Sequence, residues 1–182
     1  MILAARSWQA AAMTSVLAAA AVYPVLVIFE HESWYPKLFV EKRPGEIRNS
    51  LLLLCLMFAV LIAVCWGAFG QPVVAATAIL MWGFGDAAAA LVGIPYGKHK
   101  FRSKLTDGKK SWEGSSAMLA VSVLAGCIML IAVLKDNVPH ALASALIGAV
   151  FGTAAELFSP SEYDTVTVPV VIAAVLLIIG RV

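Results

Sequence analysis

One acidic side chain stands inside an otherwise apolar stretch of the sequence. Asp86 lies within the run Val73–Ile94, and Gly83 and Gly85 precede it. A carboxylate at this depth in a membrane-length helix is costly, so it requires a cation, a water-filled cavity or a basic partner on another helix. The small neighbouring residues allow a ligand or a second backbone to approach closely. Asp86 is therefore a candidate functional group, and the alternative is one half of a structural ion pair.

Two basic segments follow Asp86 and combine cations with glycine and serine. The first is Tyr96-Gly97-Lys98-His99-Lys100-Phe101, and the second runs from Asp107 to Ser116. The second contains Lys109, Lys110, Ser111, Trp112, Glu113, Gly114 and Ser115. Lysines beside glycine-rich turns and a helix start are typical of phosphate sites. Binding of anionic lipid headgroups explains any single lysine equally well, but the glycines favour a phosphate site for the group. The alternative interpretation of Glu113 is a first-turn acid that interacts favourably with the helix dipole. The Walker pattern is absent, because Lys110 stands where serine or threonine is required.

A third polar group closes the sequence. Glu156 is followed by Asp164-Thr165-Val166-Thr167-Val168-Pro169. An ordinary polar loop is the alternative interpretation. Carboxylates and lysines at one membrane surface suit the binding of a Mg²⁺–nucleotide phosphate next to a lipid headgroup, because Mg²⁺ prefers one or two carboxylates plus phosphate oxygens.

The composition predicts that these groups are positioned by membrane helices. The 182 residues are 62% hydrophobic and only 13% charged, whereas soluble domains are about 25% charged. We therefore expect an all-α, polytopic integral membrane bundle with about six transmembrane helices, in which residues 1–182 form a single transmembrane catalytic domain. Cys55, Cys65 and Cys127 lie in apolar runs without metal-binding spacing, so we interpret them as packing residues.

Six apolar runs are candidates for these helices. They are Ala10–Phe29, Leu51–Phe69, Val73–Ile94, Ala117–Leu134, Ala141–Ala155 and Val166–Gly180. The three residues from Gly70 to Pro72 must form a tight turn. The fifth run is short, about 22 Å at 1.5 Å per residue, so its ends at His140 and Glu156 are expected to be drawn toward the membrane.

The basic residues predict the orientation. If the helices alternate, ten lysines and arginines lie on one side and three on the other. The ten are Lys37, Lys42, Arg43, Arg48, Lys98, Lys100, Arg102, Lys104, Lys109 and Lys110. The richer side is expected to be cytoplasmic, with both termini on the opposite side. The same assignment places all three polar groups on the cytoplasmic face.

The motifs resemble those of a known enzyme family. The stretch from Gly85 to Gly93, then Tyr96 to Phe101, then Lys109 to Ser115, is similar to the polyprenol kinase family, which includes dolichol kinase, phytol kinase and CTP-dependent diacylglycerol kinase. Glu156 and the segment from Asp164 to Pro169 resemble the closing acidic motif of that family. Glu46-Ile47-Arg48 is similar to a weaker motif of the phytol kinase branch. The family often has asparagine where this chain has Thr165, and its eukaryotic members have many more helices.

The resemblance implies transfer of the γ-phosphoryl group of CTP, with Mg²⁺, to the hydroxyl of a membrane lipid such as a polyprenol, a phytol-like isoprenoid alcohol or diacylglycerol. On this hypothesis Asp86, Glu113 and Asp164 are catalytic, and Asp86, Glu156 and Asp164 bind the metal. The nucleotide is held by Lys98, His99, Lys100, Lys109, Lys110, Ser111, Gly114 and Ser115. Which carboxylate acts as the base stays open.

Two other functions compete with this hypothesis. Phosphatidate cytidylyltransferase, a more distant likeness, also uses CTP and has a similar Gly-Lys-His loop, but its substrate attacks the α-phosphorus. A transporter would use Asp86 as an ion site, yet it requires polar groups at several depths, whereas here the charges cluster at one surface. The expected partners are a nucleoside triphosphate, a lipid alcohol and the bilayer, and no nucleic acid.

Overall fold

A computed structural model describes residues 6–32, 35, 45–101, 110–134, 137–160 and 163–180, which contain six helices. They are α1 (Trp8–Phe29), α2 (Glu46–Leu61, continued by a π-helical segment, Ile62–Ala68), α3 (Pro72–Tyr96), α4 (Trp112–Leu134), α5 (Val138–Phe158) and α6 (Asp164–Ile179). The first five are long and apolar enough to cross a membrane, and α6 is apolar but shorter. The predicted all-α polytopic bundle is confirmed.

The predicted length of the fifth helix was wrong. Helix α5 has 21 residues, about 31 Å, and therefore matches the hydrocarbon thickness of a bilayer. The sequence predicts that this helix ends at His140 and Glu156, but it begins earlier, at a cap where the Asn137 side chain accepts a hydrogen bond from the His140 amide (2.9 Å). Glu156 continues the helix as a buried residue. The short helix is α6, whose 16 residues extend about 24 Å.

Helix α3 packs along α4 through small residues, and this contact positions the polar groups. A Cβ on Gly85 would overlap the hydroxyl of Ser122, which donates a hydrogen bond to the Met81 carbonyl (2.8 Å). A Cβ on Gly114 would lie 3.2 Å from Cα of Gly93. Such contacts bring two helix backbones close together, as small residues do in membrane bundles. The start of α4 is thereby held against the last turns of α3.

Helices α5 and α6 complete the bundle around α3 and α4. Their contact uses Gly152, where a Cβ would lie 2.6 Å from the Ile172 side chain. The core that joins α3, α4 and α6 includes the fully buried Met81, Met118 and Ile172. The end of α5 and the start of α6 therefore lie at the same end of the bundle as the start of α4.

Helix α2 is anchored to α1 at that end. It begins after Gly45, which adopts a left-handed backbone (φ 76°). The Arg48 guanidinium forms an ion pair with Glu30 at the end of α1 (3.0 Å) and lies over the Tyr23 ring, 5.4 Å from its centre. At the other end, Gly70 (φ 69°) turns the chain into α3, as the sequence predicted.

Candidate active site

A cavity of about 360 Å³ lies among the end of α3, the start of α4, the end of α5 and the start of α6. Eight of the site residues predicted from the sequence line it: Asp86, Lys100, Lys110, Ser111, Gly114, Ser115, Glu156 and Asp164. They come from segments that are far apart in the chain. We call this space the donor cavity.

Lys110 forms the centre of the polar network in the wall of the donor cavity. The side chain is buried, and its ammonium donates hydrogen bonds to the backbone carbonyls of Glu156 and Ser159. The same ammonium lies 3.3 Å from Oε1 of Glu156 and 3.7 Å from Oδ2 of Asp164. The second oxygen of Glu156 accepts a hydrogen bond from the Ser115 hydroxyl (3.2 Å). Lys110 therefore connects the starts of α4 and α6 to the end of α5.

The start of α4 satisfies its own backbone groups. Ser111 caps the helix, because its hydroxyl accepts a hydrogen bond from the Gly114 amide (3.2 Å). The Trp112 amide donates to the His99 carbonyl (3.0 Å). Two amides that a helix start usually leaves available to an anion are thus engaged within the protein. In this structure neither of these two amides is available to a phosphate.

The segment Gly97–Phe101 is bound to the start of α4 as a strap. The Phe101 amide donates to the Lys110 carbonyl (2.8 Å). The Glu113 carboxylate accepts the His99 amide (3.1 Å), and its Oε1 lies 2.7 Å from Nδ1 of the His99 ring. These contacts hold the strap in place beside the donor cavity. Of the three basic residues of the strap, only Lys100 lines the cavity.

The structure therefore separates the predicted site residues into groups. Lys98, His99 and Glu113 do not line the donor cavity, and Glu113 holds the strap instead. Lys109 lies outside the described residues. One contributor was missed: Ser159 receives Lys110 through its backbone carbonyl, which carries no signal in a sequence.

Asp86 faces the donor cavity from α3, ten residues or about 15 Å before that helix ends at Tyr96. Among the described residues its carboxylate has no hydrogen bond and no ion pair within 4.0 Å, and Lys110 attracts it from a longer distance. The structural ion pair that the sequence left open is therefore not formed with any basic residue in this part of the chain.

The carboxylates of the donor cavity fit the ligand preferences of a magnesium ion that is bound together with phosphate. The described residues hold no preformed cluster of three or more His, Cys, Asp or Glu side chains. Mg²⁺ needs only one or two carboxylates when phosphate oxygens complete its shell. Asp86 and Asp164 line the same cavity and provide such a pair, with Asp164 3.7 Å from the Lys110 ammonium, whereas Glu156 is bound more closely by Lys110 (3.3 Å) and also by Ser115. The donor set fits a metal that arrives with a nucleotide.

The sequence is similar to that of a known enzyme. No protein-family model matches the sequence, and no solved structure matches it. The chain is similar to a phytol kinase. That protein, from Synechocystis sp. (strain ATCC 27184 / PCC 6803 / Kazusa), is 32% identical over 117 residues. The similarity confirms the predicted resemblance to the polyprenol kinase family, of which phytol kinase is a member.

The matched region has a limited extent. The 117 residues are 63% of this chain and 49% of the phytol kinase, so this chain spans about half the length of that relative. A multi-pass helical bundle with a polar cavity at one end is compatible with a lipid-modifying enzyme of this kind.

Proposed function

We propose that the protein is a lipid alcohol kinase that transfers the γ-phosphoryl group of CTP, with Mg²⁺, to the hydroxyl of a membrane lipid, and that an isoprenoid alcohol of the phytol class is the acceptor. The observation that carries the proposal is the convergence of Asp86, Asp164, Lys100 and Lys110 on one cavity at the end of a membrane helix bundle. The similarity to a phytol kinase supports the same class of reaction.

The residues of the donor cavity divide the work of phosphoryl transfer. Asp86 and Asp164 would hold Mg²⁺, which neutralises charge on the phosphate oxygens when it is bound. Lys100 contacts the triphosphate from the strap, while Lys110 fixes the position of Asp164 and keeps Glu156 engaged. The lipid hydroxyl oxygen forms a bond to the γ-phosphorus as the bond from that phosphorus to the bridging oxygen breaks, and CDP leaves. The hydroxyl proton passes to a carboxylate of the cavity, with Asp86 the favoured acceptor.

Product analysis tests this proposal directly. Purified protein in vesicles containing phytol and phosphatidate receives CTP labelled separately at the α- and γ-phosphates. A kinase transfers only the γ-label to the lipid and releases CDP. Transfer of the α-label with release of pyrophosphate would identify a cytidylyltransferase instead and overturn the proposal. Parallel reactions with ATP, GTP and UTP test the choice of nucleotide, and omission of phytol provides the control.

Glu113→Gln distinguishes a positioning role from a catalytic one. Because Glu113 binds the His99 amide and ring and does not line the donor cavity, we expect the variant to loosen the strap. The KM for CTP should rise about tenfold, with kcat within about twofold of the native value. Steady-state kinetics with varied CTP at saturating lipid measures both quantities. A kcat reduced a hundredfold at unchanged KM would restore Glu113 to the catalytic role that the sequence suggested.

The orientation of the donor cavity is part of the proposal. We expect Lys98→Cys, on the strap, to react with an impermeant maleimide only from the cytoplasmic side, because ten of thirteen basic residues are assigned to that side. The background replaces Cys55, Cys65 and Cys127 with alanine. Val138→Cys, exposed at the opposite end of the bundle, is the matched control and should react only from the other side. Reversed labelling of the two positions would contradict the assignment.

A further inference from the structure

A second cavity, of about 470 Å³, lies on another side of Asp86. It is an open groove bordered by the first turns of α2, the middle of α3 and the first turn of α6. Its lining includes Ser50, Leu51, Leu54, Trp82, Asp86 and Thr165. We call it the acceptor groove. Apart from Asp86, none of the residues that line it lines the donor cavity.

The lining of the acceptor groove changes from polar to apolar with depth. Helix α2 begins at Glu46, at the end of the bundle that holds the polar network, and reaches Leu54 about 12 Å further along its axis. Leu51 and Leu54 form the apolar side of the groove. Trp82 lies one turn deeper in α3 than Asp86 and on the same helix face. A molecule with one polar end and an apolar chain matches this gradient.

The two cavities approach each other from different sides of the same carboxylate. Asp86 lines both. In the first turn of α6 the consecutive residues Asp164 and Thr165 line the donor cavity and the acceptor groove, respectively. A phosphate donor in one cavity and an alcohol in the other would therefore meet at Asp86. Phosphoryl transfer requires such an arrangement, because the attacking and leaving oxygens lie roughly in line on either side of phosphorus.

From this geometry we propose that the acceptor groove binds the lipid alcohol, with its hydroxyl at Asp86 and its chain along Leu51, Leu54 and Trp82. This inference rests on the proposed kinase function and adds where the acceptor binds. The ion pair of Arg48 with Glu30 holds α2 in position, and Arg48 stands between the groove residues Ile47 and Ser50. Thr165 places a hydroxyl next to the position of the reacting alcohol.

The structure also offers a competing location for a lipid chain. A groove of about 390 Å³ between α3 and α4 is lined only by apolar residues, including Leu80, Phe84 and Leu124. Phe84 stands two positions from Asp86, which places the two side chains on nearly opposite faces of α3. A lipid in this groove would have no carboxylate beside its hydroxyl. It is therefore the rival site that an experiment must exclude.

Filling the acceptor groove tests the proposal by kinetics. Leu51→Trp places a large ring in the groove, and we expect the KM for the isoprenoid alcohol to rise at least tenfold while the KM for CTP stays within twofold. Leu56→Trp is the matched control, because Leu56 is on the same helix, is 60% exposed and lines neither the donor cavity nor the groove. An unchanged lipid KM in Leu51→Trp, or equal increases for lipid and CTP, would overturn the assignment.

Photocrosslinking of the native protein tests the same site without relying on turnover or on a folded variant. A long-chain isoprenoid alcohol with a diazirine in its chain is added without nucleotide, and labelled peptides are mapped by mass spectrometry. Labelling that unlabelled alcohol competes away should fall on the segment around Leu51 and Leu54. Competed labelling at Leu124 instead would assign the rival groove and overturn the inference. If the native protein labels in α2 but transfers no phosphate, the proposed kinase function fails while the lipid site stands.

Discussion

Replacement of Asp86 by asparagine is expected to remove nearly all phosphoryl transfer and to leave the protein folded. The carboxylate lines both the donor cavity and the acceptor groove, and no described basic residue pairs with it. Asparagine keeps the size and hydrogen-bonding capacity of the side chain but removes its charge and its basicity. We expect kcat to fall by about 10²- to 10⁴-fold, the range usual for loss of a group that acts in proton transfer.

Stability and turnover of the same purified variant separate the two roles of Asp86 that the sequence left open. If the carboxylate serves chemistry, Asp86→Asn should unfold at the native temperature or slightly above it, because a charged side chain without an ion pair within 4.0 Å is removed from a membrane-length apolar helix. A structural ion pair predicts the reverse, namely lower thermal stability with surviving activity. Glu32→Gln, the same chemical change at an exposed position after α1, is the control. Near-normal turnover in Asp86→Asn would refute the catalytic assignment.

Much of the helical architecture could be predicted because the bilayer imposes simple rules on a chain. Apolar runs of about 20 residues must be helices, and consecutive spans must alternate. Alternation alone placed Asp86, Glu156 and Asp164 at one end of the bundle. The start of α4 at Trp112 was also predictable, because Ser111 is a favourable capping residue. Local sequence preferences and burial agree at these positions.

The contacts within the site could not be predicted in the same way. A lysine next to Ser111 can point to a phosphate or into the bundle, and the choice depends on Glu156 and Ser159, 46 and 49 residues away. Polar residues at the ends of α5 were interpreted as membrane boundaries, although Glu156 is buried against a cation. The role of Thr165 in a second cavity depends on the rotation of α6, which no local pattern specifies.

Lys110→Met is the second variant with a large expected effect, and the effect should be on stability. The substitution retains most of the apolar length of the side chain but removes the ammonium that binds Glu156, Asp164 and two backbone carbonyls. Breaking a buried ion pair by removal of one partner costs about 3–5 kcal/mol, because the remaining charge is left without compensation. We expect the free energy of unfolding in detergent to fall by that amount. Lys100→Met, at the exposed strap lysine of the same cavity, should instead raise the KM for CTP with little loss of stability.

The double variant Lys110→Met with Glu156→Gln tests the physical cause of that loss. If the penalty comes from the uncompensated carboxylate, a neutral amide at position 156 removes most of it and can still accept the hydrogen bond from Ser115. The double variant should then be more stable than Lys110→Met alone, and the double-mutant cycle should give a coupling energy of about 1–3 kcal/mol. Additive losses would show that Lys110 and Glu156 act independently. If Lys110→Met is as stable as the native protein but binds CTP weakly, Lys110 is a phosphate ligand, which is the role inferred from its place in the sequence. Its ammonium would then turn into the donor cavity when nucleotide binds.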